Sequence, residues 1–170
     1  MTVFASIQRF DYALSSLCLC HRFSNVMASC CRYISRSGDG PLYIAIGLYV
    51  LRTDLLYGKS FLMLGLMAFA IELPIYVILK NVFRRQRPTS LPSYIEPSDR
   101  YSLPSGHTAA AFMMATLISH FYPSLALLVW VWAGLIGVSR ILLGVHFFTD
   151  IVAGAWLGLS VMDLVITLAG

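Results

Sequence analysis

Three separated stretches bring together cations, histidines and a carboxylate. KNVFRRQRP spans residues 80–88, PSGH spans 104–107 and SRILLGVHFFTD spans 139–150. Lys80, Arg87 and Arg140 suit a group whose negative charge is spread over several oxygens, as in a transferring phosphoryl group. Arginine adds bidentate geometry toward phosphate. Ser105 and Gly106 stand where a helix is expected to begin, and the backbone N–H groups there would add anion donors. Gly106 also lets the backbone approach a ligand closely. His146 and Asp150 lie four positions apart, which puts them on one face of a helix. The carboxylate can then hold one ring N–H, fix the tautomer and leave the other nitrogen as nucleophile. His107 is the candidate general acid for the departing oxygen. Because the cations supply the electrostatic role, this chemistry requires no metal and no organic cofactor.

Taken singly, each feature has a simpler explanation. A histidine at a helix start can be a structural hydrogen-bonder, and a His–Asp pair can be a buried polar contact. The basic run 80–87 can be a cytoplasmic anchor under the positive-inside rule. Their co-occurrence in one small apolar chain favours a single site.

The elements that position these residues are read from composition. The chain has 170 residues, enough for one domain. Hydrophobic residues make up 58%, charged residues 12%, and mean hydropathy is +0.76. A water-soluble domain carries about a quarter charged residues, so lipid is the expected solvent. The net charge is +4, with its basic cluster capping an apolar segment. A nucleic-acid binder would spread such residues over a solvated face, so nucleic acid is excluded as partner.

A membrane span needs about 20 largely apolar residues. Phe61–Leu79 and Ile151–Gly170 approach that length, and Pro41–Tyr57 does so until Arg52 and Asp54. Gly106–Val138 holds no Asp, Glu, Lys or Arg and divides at SHFYP, 119–123. Pro123 there suits a first helical turn. The first segment, 4–23, mixes apolar residues with Arg9, Asp11, His21 and Arg22, as an amphipathic helix lying in the membrane surface does. A second short helix follows over 25–34. The expected fold is an all-α polytopic helical bundle of about five spanning helices, six if the first segment crosses. Residues 1–39 form the interfacial part and 40–170 the catalytic core. No cleavable signal is read in the opening residues.

Together the three motifs resemble the signature of the type 2 phosphatidic acid phosphatase superfamily, which includes lipid phosphate phosphatases and the vanadium haloperoxidases. All three parts occur in the family's order. The resemblance implies a membrane lipid phosphate phosphatase in which His146 forms a phosphohistidine intermediate, His107 acts as acid and Asp150 orients His146. Lys80, Arg87, Ser105, Gly106 and Arg140 would hold the phosphate, a site that vanadate also fits. The implied substrate is a phosphomonoester or diphosphate on phosphatidic acid, phosphatidylglycerol phosphate, a polyprenyl carrier or a lipid A type molecule. A lipid phosphotransferase or a non-catalytic lipid-phosphate carrier would share the cations; the paired histidines separate an enzyme from a carrier. The soluble haloperoxidases do not fit this composition.

Alternating the spans puts the Lys80 end, the PSGH turn and the Arg140–Asp150 link on one membrane face. Loop charge would place that face in the cytoplasm, whereas the resemblance implies the periplasmic face of a bacterial inner membrane. Arg84 and Arg85 are expected to be headgroup contacts or interfacial anchors. Glu72 is expected to hydrogen-bond the backbone freed by Pro74, Asp39 to cap the following helix, and Asp163 to be structural. Cys18, Cys20, Cys30 and Cys31 match no zinc framework and are expected to be unpaired thiols.

Overall fold

The computed structural model describes residues 3–20 and 24–169. His21 and Arg22, counted above in the first segment, lie outside the described residues, as does Gly170 at the end of the last expected span. All regular structure among the described residues is helical. The order is α1 (Val3–Leu19), α2 (Ser24–Arg36), α3 (Gly40–Thr53), α4 (Gly58–Phe83), α5 (Gly106–Phe121), a 3-10 turn (Pro123–Leu125), α6 (Ala126–Leu142) and α7 (Phe148–Ala169).

Among the described residues, three segments are long and apolar enough to cross a membrane: α4, Pro123–Leu142 and α7. The other two expected spans are shorter, with 14 residues in α3 and 16 in α5. At 1.5 Å per residue they reach only about 21 and 24 Å, against a hydrocarbon core of roughly 30 Å. The α3 span ends at Thr53, short of Tyr57, because the Asp54 carboxylate accepts the N–H groups of Leu56 and Tyr57 at 2.9 Å each. That local bond competes with the helix and starts the turn into α4. Pro123 does stand at the first helical positions after α5.

The core gathers around α5, whose Ala109, Ala111, Met113, Ala115 and Leu117 are almost fully buried. Helix α7 lies close against it because Gly154 and Gly158 have no side chain. A Cβ at Gly154 would come within 2.4 Å of the Ser105 carbonyl, and one at Gly158 within 2.2 Å of the Ala109 carbonyl. Small residues permit such close helix pairs in lipid. The consequence is functional: the start of α5 and the first turn of α7 are tied directly, with Ser105 N–H donating to the Asp150 carbonyl at 3.0 Å. Outward faces carry exposed Leu48, Leu66, Val77, Leu128, Trp156 and Leu168, a lipid-facing surface that water would not tolerate on this scale.

Two turns hold the long 84–105 connection against the bundle. Helix α4 ends at Arg84 in the left-handed region, φ 46°, with its N–H returning to the Lys80 carbonyl. Gly144, between α6 and α7, takes φ +75°, and a Cβ there would meet the Pro92 carbonyl at 2.1 Å. Only glycine combines that φ with that approach. Helix α1 packs on α6 and α7, and α2 packs on α6. Asp11 and Ser15 of α1 are buried while Phe10, Tyr12 and Leu17 face outward, and Cys31 of α2 packs with Leu143 and Val145. All four cysteines are free thiols.

Candidate active site

The three sequence motifs meet at one end of the bundle, and much of the meeting is organised by a residue outside them. Lys80, from the last turn of α4, is 5% exposed. Its ammonium donates to the Asp99 carboxylate and to the Tyr101 carbonyl at 2.8 Å. Arg87, past the end of α4, donates to the same Asp99 oxygen at 2.7 Å, to the Asp99 carbonyl at 3.0 Å and to the Val145 carbonyl at 2.5 Å. Tyr76 donates to the other Asp99 oxygen at 2.7 Å. Burial works to raise the Asp99 carboxyl, but hydrogen bonds from Lys80 and Tyr76 and the Lys80 charge hold it down at about 2. Asp99 is therefore an anion, seated between two of the three expected phosphate-holding cations.

Arg140, the third, comes from the last turn of α6 and is 3% exposed. One of its terminal nitrogens donates to the Ser35 hydroxyl at 2.6 Å, while its Nε is buried without a partner among the described residues. Arg140 and His107 line an open cavity of about 240 Å³ together with Arg32, Arg36, Asp39 and Ser98. Helix α2 thus adds two cations to the mouth of the site.

His146 lies in the link between α6 and α7 and is 3% exposed. Its Nε2 is 3.5 Å from an Arg87 terminal nitrogen. Arginine only donates, so the ring faces the cradle with a lone pair and carries its proton on Nδ1. Nδ1 stands 3.6 Å from Asp150 Oδ2, the expected i, i+4 pair, somewhat beyond hydrogen-bond length. Burial pushes the His146 ring down to about 4, and the neighbouring Asp150 offsets only part of that. The imidazole is neutral, the form a nucleophile needs.

Asp150 is fixed from two further sides. It accepts the Phe147 N–H at 2.8 Å and an Arg85 N–H at 2.8 Å. Arg85 also reaches the Asp11 carboxylate of α1 at 2.5 Å and the Thr149 hydroxyl at 2.6 Å. Asp11 accepts the Thr149 N–H and hydroxyl as well. Arg85 is thus no headgroup contact or interfacial anchor. Two fully buried carboxylates need a shared cation, and Arg85 is that cation.

His107 Nε2 is 2.9 Å from Asp39 Oδ1. Asp39 stands at the N-cap position of α3 but makes no side-chain cap bond, because its carboxylate is turned to His107. Two His–Asp pairs therefore flank the cradle. The Ser105 N–H, expected to be free for phosphate, is taken by the Asp150 carbonyl, and the Ser105 hydroxyl accepts from Thr108 at 3.0 Å. Gly106 lies against Tyr76, where a Cβ would be 2.9 Å from the ring. Ser105 and Gly106 hold the α5 terminus in register with α7 and α4. Asp99, Arg85, Asp11 and Ser35 lie outside the three motifs' chemistry as read from sequence, and no spacing rule would have paired Asp11 with a residue 138 positions away.

Comparison with known proteins bears on the family and the fold. A family model described as the PAP2 superfamily matches residues 60–169. Phosphatidylglycerophosphatase B of Bacillus subtilis (strain 168) is 36% identical over 114 residues, covering 61% of this chain and 55% of that protein. Decaprenylphosphoryl-5-phosphoribose phosphatase of Mycobacterium tuberculosis (strain H37Rv) is 34% identical over 118 residues, covering 66% of this chain and 63% of that protein. The chain thus spans little more than half to under two thirds of these relatives' length. Among solved structures, the transmembrane PAP2-type phosphatidylglycerolphosphate phosphatase from Bacillus subtilis superposes with a TM-score of 0.76 at 25% identity, covering 96% of this chain and 86% of that one.

Proposed function

Because the chain belongs to the PAP2 superfamily, we propose that it is an integral membrane phosphatase that hydrolyses the phosphomonoester or diphosphate of a membrane lipid at this site. One observation carries the reading: the cradle of Lys80 and Arg87 already holds an oxyanion, the Asp99 carboxylate, with neutral His146 beside it. A lipid phosphate entering from the Arg140 cavity takes the place of Asp99 and meets Lys80, Arg87 and the unpartnered Arg140 Nε.

The chemistry follows from the two histidines. His146 Nε2 attacks phosphorus, forming a P–N bond as the P–O bond to the lipid breaks. His107 gives its proton to the departing oxygen, helped by the Asp39 carboxylate, which stabilises the charged ring before transfer. Asp150 holds the Nδ1 proton of His146 and balances the charge that grows on that ring. Water then attacks the phosphohistidine, His107 accepts its proton, and inorganic phosphate leaves with His146 restored. Three fixed cations carry the charge on the equatorial oxygens, and no metal ion enters these steps.

We assign the active site to the extracytoplasmic face of the plasma membrane, the side that the family resemblance implies. Arg32 and Arg36 line the site cavity, so they serve the substrate and do not count as cytoplasmic anchors under the positive-inside rule. The direct test is phosphate release by purified protein from a panel of lipid phosphates. Wild type releases phosphate and His146→Ala does not, with an unchanged unfolding transition; normal turnover by that variant would remove the nucleophile assignment.

A further inference from the structure

Glu72 takes no part in the chemistry above, and its surroundings are costly for a carboxyl group. It is 2% exposed within α4. Glu72, Tyr76 and Lys80 follow one another at four-residue steps, so they share one face of the helix. The backbone freed by Pro74 was its expected partner. Instead, no hydrogen bond or ion pair joins the Glu72 carboxyl to any described residue. Across from it, in α3, the Tyr43 hydroxyl is also stranded: the residue is 5% exposed and its oxygen has no partner among the described residues. Buried polar groups are normally paired, and the exceptions require a reason.

Both residues line one cavity of about 250 Å³, whose walls also include Asp39, Gly106 and His107. Tyr43, Phe69 and Leu73 line in addition a second, larger cavity of about 440 Å³ with Leu48, Leu66 and Leu117. The unpaired oxygens therefore sit between the leaving-group histidine and an apolar groove between α3 and α4. Lys80 folds back along α4, with Nζ 4.8 Å from the centre of the Tyr76 ring. Glu72 lies one turn beyond Tyr76, about 6 Å along the axis, within reach of a polyol attached to a phosphate in the cradle.

We propose that Glu72 and Tyr43 bind the oxygenated linker between phosphate and hydrocarbon in the substrate lipid. The pair selects a lipid whose phosphate is carried on a hydroxyl-bearing glycerol or sugar over one whose phosphate is joined directly to a prenyl chain. Glu72 accepts from a linker hydroxyl and Tyr43 donates to a linker hydroxyl or ester oxygen, while the hydrocarbon follows the apolar groove. A lipid without the linker leaves both groups unpaired, which is how a polar pocket discriminates. The inference rests on the lipid-phosphate reading of the site.

The test uses the full chain in detergent micelles with three substrates: phosphatidylglycerol phosphate, decaprenylphosphoryl-5-phosphoribose and decaprenyl phosphate. Tyr43→Phe and Glu72→Leu are each expected to lower kcat/KM by about tenfold or more on a linker-bearing lipid, mainly through KM, and by no more than about twofold on decaprenyl phosphate. Whichever linker lipid loses more identifies glycerol or sugar. Parallel losses on all three lipids, or none on any, overturn the proposal. If Glu72→Leu does not fold, Tyr43→Phe, which deletes one oxygen, decides alone. Equilibrium binding of the intact lipids to His146→Ala protein gives a reading that needs no turnover. Tighter binding of a linker lipid, lost in Tyr43→Phe on that background, supports the subsite even if wild type cleaves none of the lipids and the hydrolase reading fails. Equal affinity for all three overturns the subsite.

Discussion

Arg85 offers the sharpest test of how the amino-terminal helix serves the site. Its guanidinium lies between Asp11 at 2.5 Å and Asp150 at 2.8 Å, and both carboxylates are 0% exposed. Arg85→Met keeps most of the stem's volume and removes the charge that both anions share. Removing one partner of a buried ion pair costs about 3–5 kcal/mol, and one cation serving two anions puts the expected loss at the upper end. Asp11→Leu in the same chain deletes one of the stranded carboxylates. The double variant should therefore be more stable than the sum of the single losses predicts, with a coupling of about 1–3 kcal/mol. The assay is a four-protein cycle of unfolding free energies from denaturant titration in detergent micelles at fixed pH. Costs that simply add would refute the idea that Arg85 joins α1 to α7. In Arg85→Met, Asp150 also loses the cation that fixes it, so kcat should fall with little change in KM.

Other consequences follow from the same geometry. Asp99→Asn removes the anion that occupies the cradle, so inorganic phosphate or vanadate should inhibit about tenfold more tightly; an unchanged or weaker inhibition constant would show that Asp99 does not compete for the cations. Asp39→Asn takes away the partner of His107 and should slow cleavage of alkyl phosphates by about 10–100-fold. A phosphate ester with a good leaving group, such as p-nitrophenol, needs less acid assistance and should lose far less; equal losses on both would place Asp39 outside the acid step. The His146 ring, pushed from 6.5 to about 4 by burial, refuses a proton that the unfolded chain binds. Unfolding free energy should therefore fall as pH drops from 6.5 to 4, and His146→Gln should flatten that part of the profile.

The motif residues were legible because their types are set by chemistry and their order matches the family they resemble, and the helices followed from apolar length. Partners across long separations were not. Asp99 sits in a connection with no periodicity, where nothing in the local sequence tells a solvated aspartate from one seated between two cations. Asp39 satisfied the rule for a helix cap, yet its carboxylate found His107, a choice made by tertiary packing. Arg84 and Arg85 look alike in sequence, but one ends α4 in a left-handed turn while the other is drawn under the site by two buried carboxylates. The Ser105 N–H looked free until Gly154 allowed α7 to approach. The Glu72 carboxyl looked structural beside Pro74, and only the structure shows that no described residue takes it up.

The central claim is that His146 carries the phosphoryl group between the lipid and water. Rapid quench of wild-type protein with a lipid bearing a 32P-labelled terminal phosphate tests it most directly. The account predicts acid-labile, base-stable label on the chain during turnover, on a peptide containing His146. The label should be missing in His146→Ala, and in His107→Ala, which loses both the acid and the base, it should form and decay more slowly than in wild type. Phosphate release at the normal rate with no labelled protein at any quench time, or label on another residue, would contradict the account.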